Sequence, residues 1–253
     1  MKDFVFHNPT KLIFGKESME KIHENILPFG KKVLVTYGGG SIKNNGIYSK
    51  VMKQLEELEV KEYGGIEPNA RVETIRKAVS EFKDFDPDII LAVGGGSVID
   101  GSKLLASALH YDGDAWDFLI KPDVAPKKYI PLATILTIAA TGSEMNNGAV
   151  ITRWETNEKL FFMRDELYPK FSILDPKNTF SVPKDQTAYG IVDAFSHVLE
   201  QYIQTEKNTP IQDRFSEGIL HTLIENGPLV ITNPTNYEAR ANIMLSASMA
   251  LNN

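Results

Sequence analysis

Asp193 and His197, two side chains able to bind a metal, stand four residues apart in the run VDAFSH (192–197). The run reads as helix, where residues i and i+4 lie one above the other on the same face. A carboxylate and an imidazole so placed can grip one divalent cation, Fe2+ or Zn2+, since both accept mixed nitrogen and oxygen ligands. They can equally be an exposed pair contributing about 0.3 kcal/mol. On a helical wheel Ala188, Ile191, Val192, Phe195, Val198, Leu199 and Tyr202 gather on one side, with Asp193 and His197 opposite them. That places the pair in solvent or on the wall of a cleft, and spacing alone leaves both open. His7, His23 and His110 read as surface or packing residues, while His221 lies on the next helix, where it could approach the pair.

A second chemical signal is VGGGSVID (93–100), directly after an apolar run. Gly94, Gly95 and Gly96 let backbone approach a diphosphate closely. Ser97 then opens a helix whose free N–H groups and partial positive charge suit an anion, and its hydroxyl can cap the helix or donate to phosphate. Asp100, expected in the first turn, suits the helix dipole and could orient a ribose or nicotinamide group. The alternative is a tight strand–helix turn without a ligand. A similar stretch, YGGGSIKNNG (37–46), supplies Gly38, Gly39, Gly40, Ser41 and Lys43 after another strand. Dinucleotide folds often place an acid near such a strand end to hold the adenosine 2′-OH. None occurs between Val33 and Val51, so the expected cofactor is NADP(H) rather than NAD(H). Neither stretch is G-x-G-x-x-G, and no Walker loop is present, which removes support for P-loop phosphotransfer.

These residues need a scaffold, and the sequence suggests one. KLIF (11–14), KVLVTY (32–37), DIILAV (88–93), IPLATIL (130–136), GAVIT (148–152), KLFF (159–162) and FSILD (171–175) read as strands. Residues 46–58, 72–82 and 97–109 carry apolar residues at helical spacing. Alternation of this kind implies parallel βαβ units. After SVP (181–183) the pattern turns helical, over 184–204, 211–226 and 237–251. Ser181 is a candidate cap, with Pro183 in the first turn. The expected architecture is an α/β dinucleotide-binding domain over 1–180 followed by an all-α domain from 181 to 253.

The 253 residues are 42% hydrophobic and 24% charged, as in ordinary globular proteins. A formal charge of -6 argues against a dedicated nucleic-acid partner. The chain has no cysteine, which excludes disulfides, thiolate ligands and a Cys nucleophile and fits a cytoplasmic protein. No signal peptide or membrane span is expected.

Five motifs then occur in a family-specific order: VGGGSVIDGSK (93–103), ILTIAATGSEMNNGAVIT (135–152), NEKL (157–160), SILDP (172–176) and GIVDAFSHVLEQY (190–202). In this the chain resembles the iron-containing (group III) alcohol dehydrogenases. FVFHNPTKLIFG and YGGGSIKNNGIY look most like their NAD(P)H-dependent butanol dehydrogenase branch. The resemblance implies metal and substrate held in a cleft between the two domains, with Asp193 and His197 as metal ligands. It implies that Gly94 to Ser97 hold the pyrophosphate, that Asp100 lies near the cofactor, and that Thr137 and Thr141 belong to a threonine-rich cofactor loop. Ile138 and Ala140 depart from that loop's usual Thr and Gly. Lys159 matches a lysine reaching the cofactor ribose. The family's two further histidine ligands lie downstream of ARANIMLSASMALNN, so the chain is expected to be the N-terminal part of a longer enzyme. The implied activity is metal-assisted hydride transfer between NADP(H) and a primary alcohol or aldehyde such as butanol or butanal, in a homodimer. The competing readings are a cofactor-binding unit without catalysis and a dehydroquinate-synthase-like cyclase. The cyclase would need a basic cluster that the neighbourhood of VDAFSH lacks.

Overall fold

The computed structural model describes residues 3–204 and 208–252. In chain order the first part holds β1 (Lys11–Phe14), α1 (Ile22–Ile26), β2 (Lys32–Tyr37), α2 (Ser41–Asn44), α3 (Ile47–Gln54), β3 (Glu59–Tyr63), α4 (Val72–Phe82), β4 (Ile89–Gly94) and α5 (Gly96–Ala108). Then come α6 (Asp117–Ile120), β5 (Leu132–Leu136), β6 (Gly148–Arg153), β7 (Glu158–Met163) and β8 (Phe171–Leu174). Three long helices follow: α7 (Lys184–Tyr202), α8 (Pro210–Thr232) and α9 (Tyr237–Asn252).

Apolar, β-branched runs without alternation suit strands covered on both faces. β4, β5 and β8 are such runs and are buried throughout. They belong to a six-stranded sheet in the order β1-β8-β5-β4-β2-β3, with every pairing parallel. One face packs α4 and α5 through Ile75, Phe82, Ile99 and Leu105. The other packs α1 and α3 through Ile22, Ile26, Val51 and Leu55. Chain order reverses at β2 and β4: β3 lies outside β2, and the next strand returns to β2's other side. In an open α/β sheet the crevice beyond the strand carboxyl ends at such a reversal is where ligands bind. Gly38 and Gly94 stand at those two ends.

β6 and β7 form a separate antiparallel hairpin. It packs against α5 and α6 rather than extending the sheet. β3 carries the sequence EVKEY, whose charges hid it from pattern reading; it is tolerated because it is an edge strand with exposed and half-buried positions. The helix begun at Ile47 stops at Gln54, short of the expected Leu58. α8 continues past the expected Asn226, through Pro228 to Thr232. Among the described residues no helix is long and apolar enough to cross a membrane.

α7 corrects the helical-wheel expectation. Its buried positions are Thr187, Gly190, Ala194 and Val198. Val192, Leu199 and Tyr202 are exposed instead, at 63%, 39% and 41%. The cause is close approach. A Cβ on Gly190 would overlap the Ala139 carbonyl, so the helix rests with its small residues on the loop after β5. Asp193 and His197 flank this stripe rather than opposing it, His197 lying two turns beyond Gly190. The start of α7 also differs: Pro183 is the N-cap residue and no side chain caps the helix. The Ser181 hydroxyl instead accepts from Asn45 Nδ2 at 3.0 Å.

Candidate active site

Beyond the carboxyl ends of β2 and β4 lies a recess of about 350 Å3 bordered by Gly38, Gly39, Gly40, Ser41, Gly94 to Ser97, Thr137 and Thr141. A wider cleft of about 500 Å3 contains Asp100, Lys159, Asp193 and His197. The two share Gly96, Ser97 and Thr141, which makes one groove bent around the start of α5. Apart from Lys43, the site residues selected from the sequence all border these two adjoining cavities.

The floor of the bend is closely packed. A Cβ on Gly94 would lie 2.5 Å from Val98 Cγ2, one on Gly95 3.2 Å from Ile138 Cβ, and one on Gly96 would overlap the Thr141 hydroxyl. The Thr137 amide donates to the Gly94 carbonyl at 3.0 Å, which ties the loop after β5 to this turn. Any side chain here would fill the space where backbone and the N-terminus of α5 meet the groove, a cradle that fits a diphosphate.

Two expectations fail locally. The Ser97 hydroxyl does not cap α5. It accepts the Asn69 backbone N–H at 3.0 Å, a bond between elements that no local pattern announces. Because α5 begins at Gly96, Asp100 falls just past the first turn. Its Oδ1 accepts from the Ser143 hydroxyl at 2.5 Å and its Oδ2 from the Val150 N–H at 2.9 Å. Burial raises its pKa, while the Lys103 charge and these bonds oppose the rise.

Asn69 was missed by sequence reading. It has φ 57°, a left-handed conformation that Asn tolerates. Its Oδ1 accepts from Lys159 Nζ at 2.8 Å, so Asn69 links the Ser97 turn to the β6–β7 hairpin. The one advance signal is Pro68-Asn69, two turn-forming residues between strand and helix.

At the other turn Lys43 Nζ lies 4.9 Å and 4.8 Å from the ring centres of Tyr37 and Tyr48. It is 3.7 Å from Glu62 Oε2. Both tyrosine hydroxyls donate to Glu62, at 3.2 Å and 2.8 Å. The stretch from Val33 to Val51 has no acid, yet β3 supplies one in space. Lys43's pKa is raised, first by the adjoining Tyr37 hydroxyl and further by the Glu62 charge.

His197 Nε2 is 3.8 Å from Asp193 Oδ1, too long for a hydrogen bond. Two ligands of one tetrahedral ion at bond lengths near 2.0–2.1 Å are separated by roughly 3.3 Å, so the gap suits a shared cation. His197 Nδ1 is enclosed without a partner. The pair fits half a metal site. Among the described residues no group of three or more His, Cys, Asp or Glu side chains could hold a metal. His23 and His110 serve elsewhere, against the Gln54 carbonyl and Asp86.

Comparison with known proteins bears on this groove. Residues 9–176 match the family model described as iron-containing alcohol dehydrogenase, and 187–253 match the C-terminal model of the same family. The whole chain is 52% identical to a probable NADH-dependent butanol dehydrogenase of Bacillus subtilis (strain 168), covering 65% of it. It is 45% identical to the NADPH-dependent aldehyde reductase YqhD of Escherichia coli (strain K12), again over the whole chain and 65% of the relative. Among solved structures, an NADH-dependent butanol dehydrogenase A of Thermotoga maritima superposes with a TM-score of 0.95 at 44% identity, over all of this chain and 64% of that one. The chain thus spans about two thirds of the length of such relatives.

Proposed function

The chain belongs to the iron-containing alcohol dehydrogenase family, and from that premise we propose that its groove holds a nicotinamide dinucleotide beside a divalent cation, for reversible reduction of aldehydes to primary alcohols. Butanal and butanol are the proposed pair, in keeping with the names of relatives. The observation that carries this reading is the continuous groove from Gly38–Ser41, past Gly94–Ser97, to Asp193 and His197.

In the proposed arrangement, the N-terminus of α5 and the glycine turn at 94–96 receive the diphosphate. Lys159, anchored on Asn69, faces the adjoining ribose from the hairpin. Asp193 and His197, expected to be Fe2+ or Zn2+ ligands, project from α7 over the nicotinamide end. When bound, the cofactor would supply the hydride and the cation a Lewis acid for the substrate oxygen. Phe161, Met163 and Leu251 give this end of the cleft an apolar wall suited to an alkyl chain.

NADP(H) is proposed over NAD(H) because the first glycine turn is open and carries Ser41 with Lys43 nearby. Relatives bear both NADH and NADPH names. Glu62 is the counterweight, since it already occupies the Lys43 ammonium. A homodimer, checked by size-exclusion chromatography with light scattering, is part of the same proposal. A second reading, cofactor binding without turnover by these 253 residues alone, is favoured by the two-ligand metal set. Oxidation of NADPH in the presence of butanal, before and after chelation, separates the readings. Activity that falls on verified metal removal and returns with Fe2+ or Zn2+ supports the enzyme. Full activity without metal rejects the metal's role, and binding without turnover supports the second reading.

A further inference from the structure

Lys103 is fully buried on α5, a position that lysine almost never occupies without a specific partner. Its ammonium lies within hydrogen-bond distance of four oxygens: the Ser143 carbonyl at 2.8 Å, Ser143 Oγ at 2.9 Å, Asn146 Oδ1 at 2.9 Å and the Gly148 carbonyl at 2.7 Å. All belong to the segment that forms one wall of the wider cleft. An ammonium has donors only, so a Ser143 hydroxyl that accepts from it must send its own hydrogen elsewhere. That hydrogen goes to Asp100 Oδ1. The Val150 N–H occupies the other carboxylate oxygen; each oxygen has capacity for a further donor, and Asp100 borders the cleft.

We propose that Lys103 is a positioning residue for the nicotinamide end of the groove. Through the Ser143 hydroxyl it fixes Asp100 as an acceptor facing the cleft, ready for a donor on the nicotinamide half of the dinucleotide. This rests on the dinucleotide reading above. The charged groups around Lys103 are consistent with the role. Asp100 lies on its own helix and Glu144 on the segment it anchors, while Lys159 faces Asp100 across the cleft. Glu144 is itself held by the Ser248 hydroxyl of α9, and Asn252 of the same helix donates to the Gly142 carbonyl. The wall that Lys103 holds from α5 is thus held from the helical part as well.

A purely structural Lys103 and a positioning Lys103 differ in what their loss does to two ligands. NADH and ADP-ribose share both riboses and the diphosphate, and only NADH carries nicotinamide. Calorimetric titration of the full chain with each ligand, for wild type, Lys103→Met and Ser143→Ala, separates the cases. The expected result is a loss of NADH affinity of about tenfold or more in Lys103→Met, the scale of one charge-assisted hydrogen bond. ADP-ribose affinity should stay within about twofold of wild type. Ser143→Ala retains the lysine and its remaining partners, so it should fold even if Lys103→Met does not. It should show the same selective loss of NADH. Equal loss of both ligands in Ser143→Ala, or no loss of either, overturns the proposal. If wild type binds neither of these ligands and does not bind NADPH either, the dinucleotide reading itself fails.

Discussion

The same four residues, Gly-Gly-Gly-Ser, follow two neighbouring strands and meet different physical demands. At 94–96 the glycines are required by what touches them: Val98, Ile138 and Thr141 fill the space that side chains would need. At 38–40 only Gly38 meets close neighbours, and added Cβ atoms on Gly39 and Gly40 would stand in open space. There the constraint is conformational, since Gly40 has φ +96°. The lysines near the two turns differ in the same sense. Lys103 is buried and its pKa is lowered to about 8 by burial. Lys43 is exposed and its pKa is raised. One turn is a packed part of the core, the other an open rim, and an identical motif does not imply an identical job.

This contrast is broken most forcefully by Gly96→Val. The branched side chain has no room beside Thr141, so a stability loss of about 1–3 kcal/mol in urea unfolding is expected, with dinucleotide binding abolished. Gly39→Val, facing open space, should keep wild-type stability. Similar stability losses at both positions would remove the distinction.

A stability effect of comparable size, without the loss of binding, is a pH dependence. Folding lowers the Lys103 pKa from 10.5 to about 8. Between those values the unfolded chain binds more protons, so this residue's contribution makes stability rise with pH. Below about pH 8 both states are protonated and the full burial cost remains. The stability of wild type relative to Lys103→Met should therefore improve by about 3 kcal/mol from pH 8 to pH 10.5. Urea midpoints at the two pH values test this, and a flat difference contradicts it.

Gly40→Ala should cost roughly 1 kcal/mol through its positive φ alone. Thermal melts of Gly40→Ala and Gly39→Ala should differ by that strain. The smallest effect concerns the rim. Glu62→Gln frees Lys43 from its carboxylate partner, so NADPH affinity should improve about threefold relative to NADH, the scale of one exposed ion pair. An unchanged ratio in competitive titrations would show that Lys43 does not face the 2′ position.

The legible parts of the molecule were those whose cause is local. Continuous apolar runs gave the central strands, and glycine runs after them marked both turns. That Asp193 and His197 share a helix face was visible from their spacing, but which way that face turns was not; their common cleft follows from Gly190 seating α7 on the loop after β5. Hidden features depend on partners distant in sequence. β3 went unassigned because an edge strand need not be apolar, and EVKEY carries no apolar run. Glu62 escaped a search confined to the chain around Gly38, since it arrives on the adjacent strand. Asn69 binds Ser97 and Lys159 across 28 and 90 residues, which no local pattern encodes. Lys103 left one faint sign, a lone cation in the apolar stretch SVIDGSKLLASAL. A charge inside such a run requires acceptors from elsewhere, and here they come from residues 143–148.

The most direct measurement is calorimetric titration of the full chain with NADPH, for wild type and Gly96→Val. The expected result is saturable binding of one dinucleotide per chain in wild type and none in a folded Gly96→Val. Absence of saturable binding by wild type, or equal affinity in the variant, would contradict a dinucleotide seated on the second glycine turn.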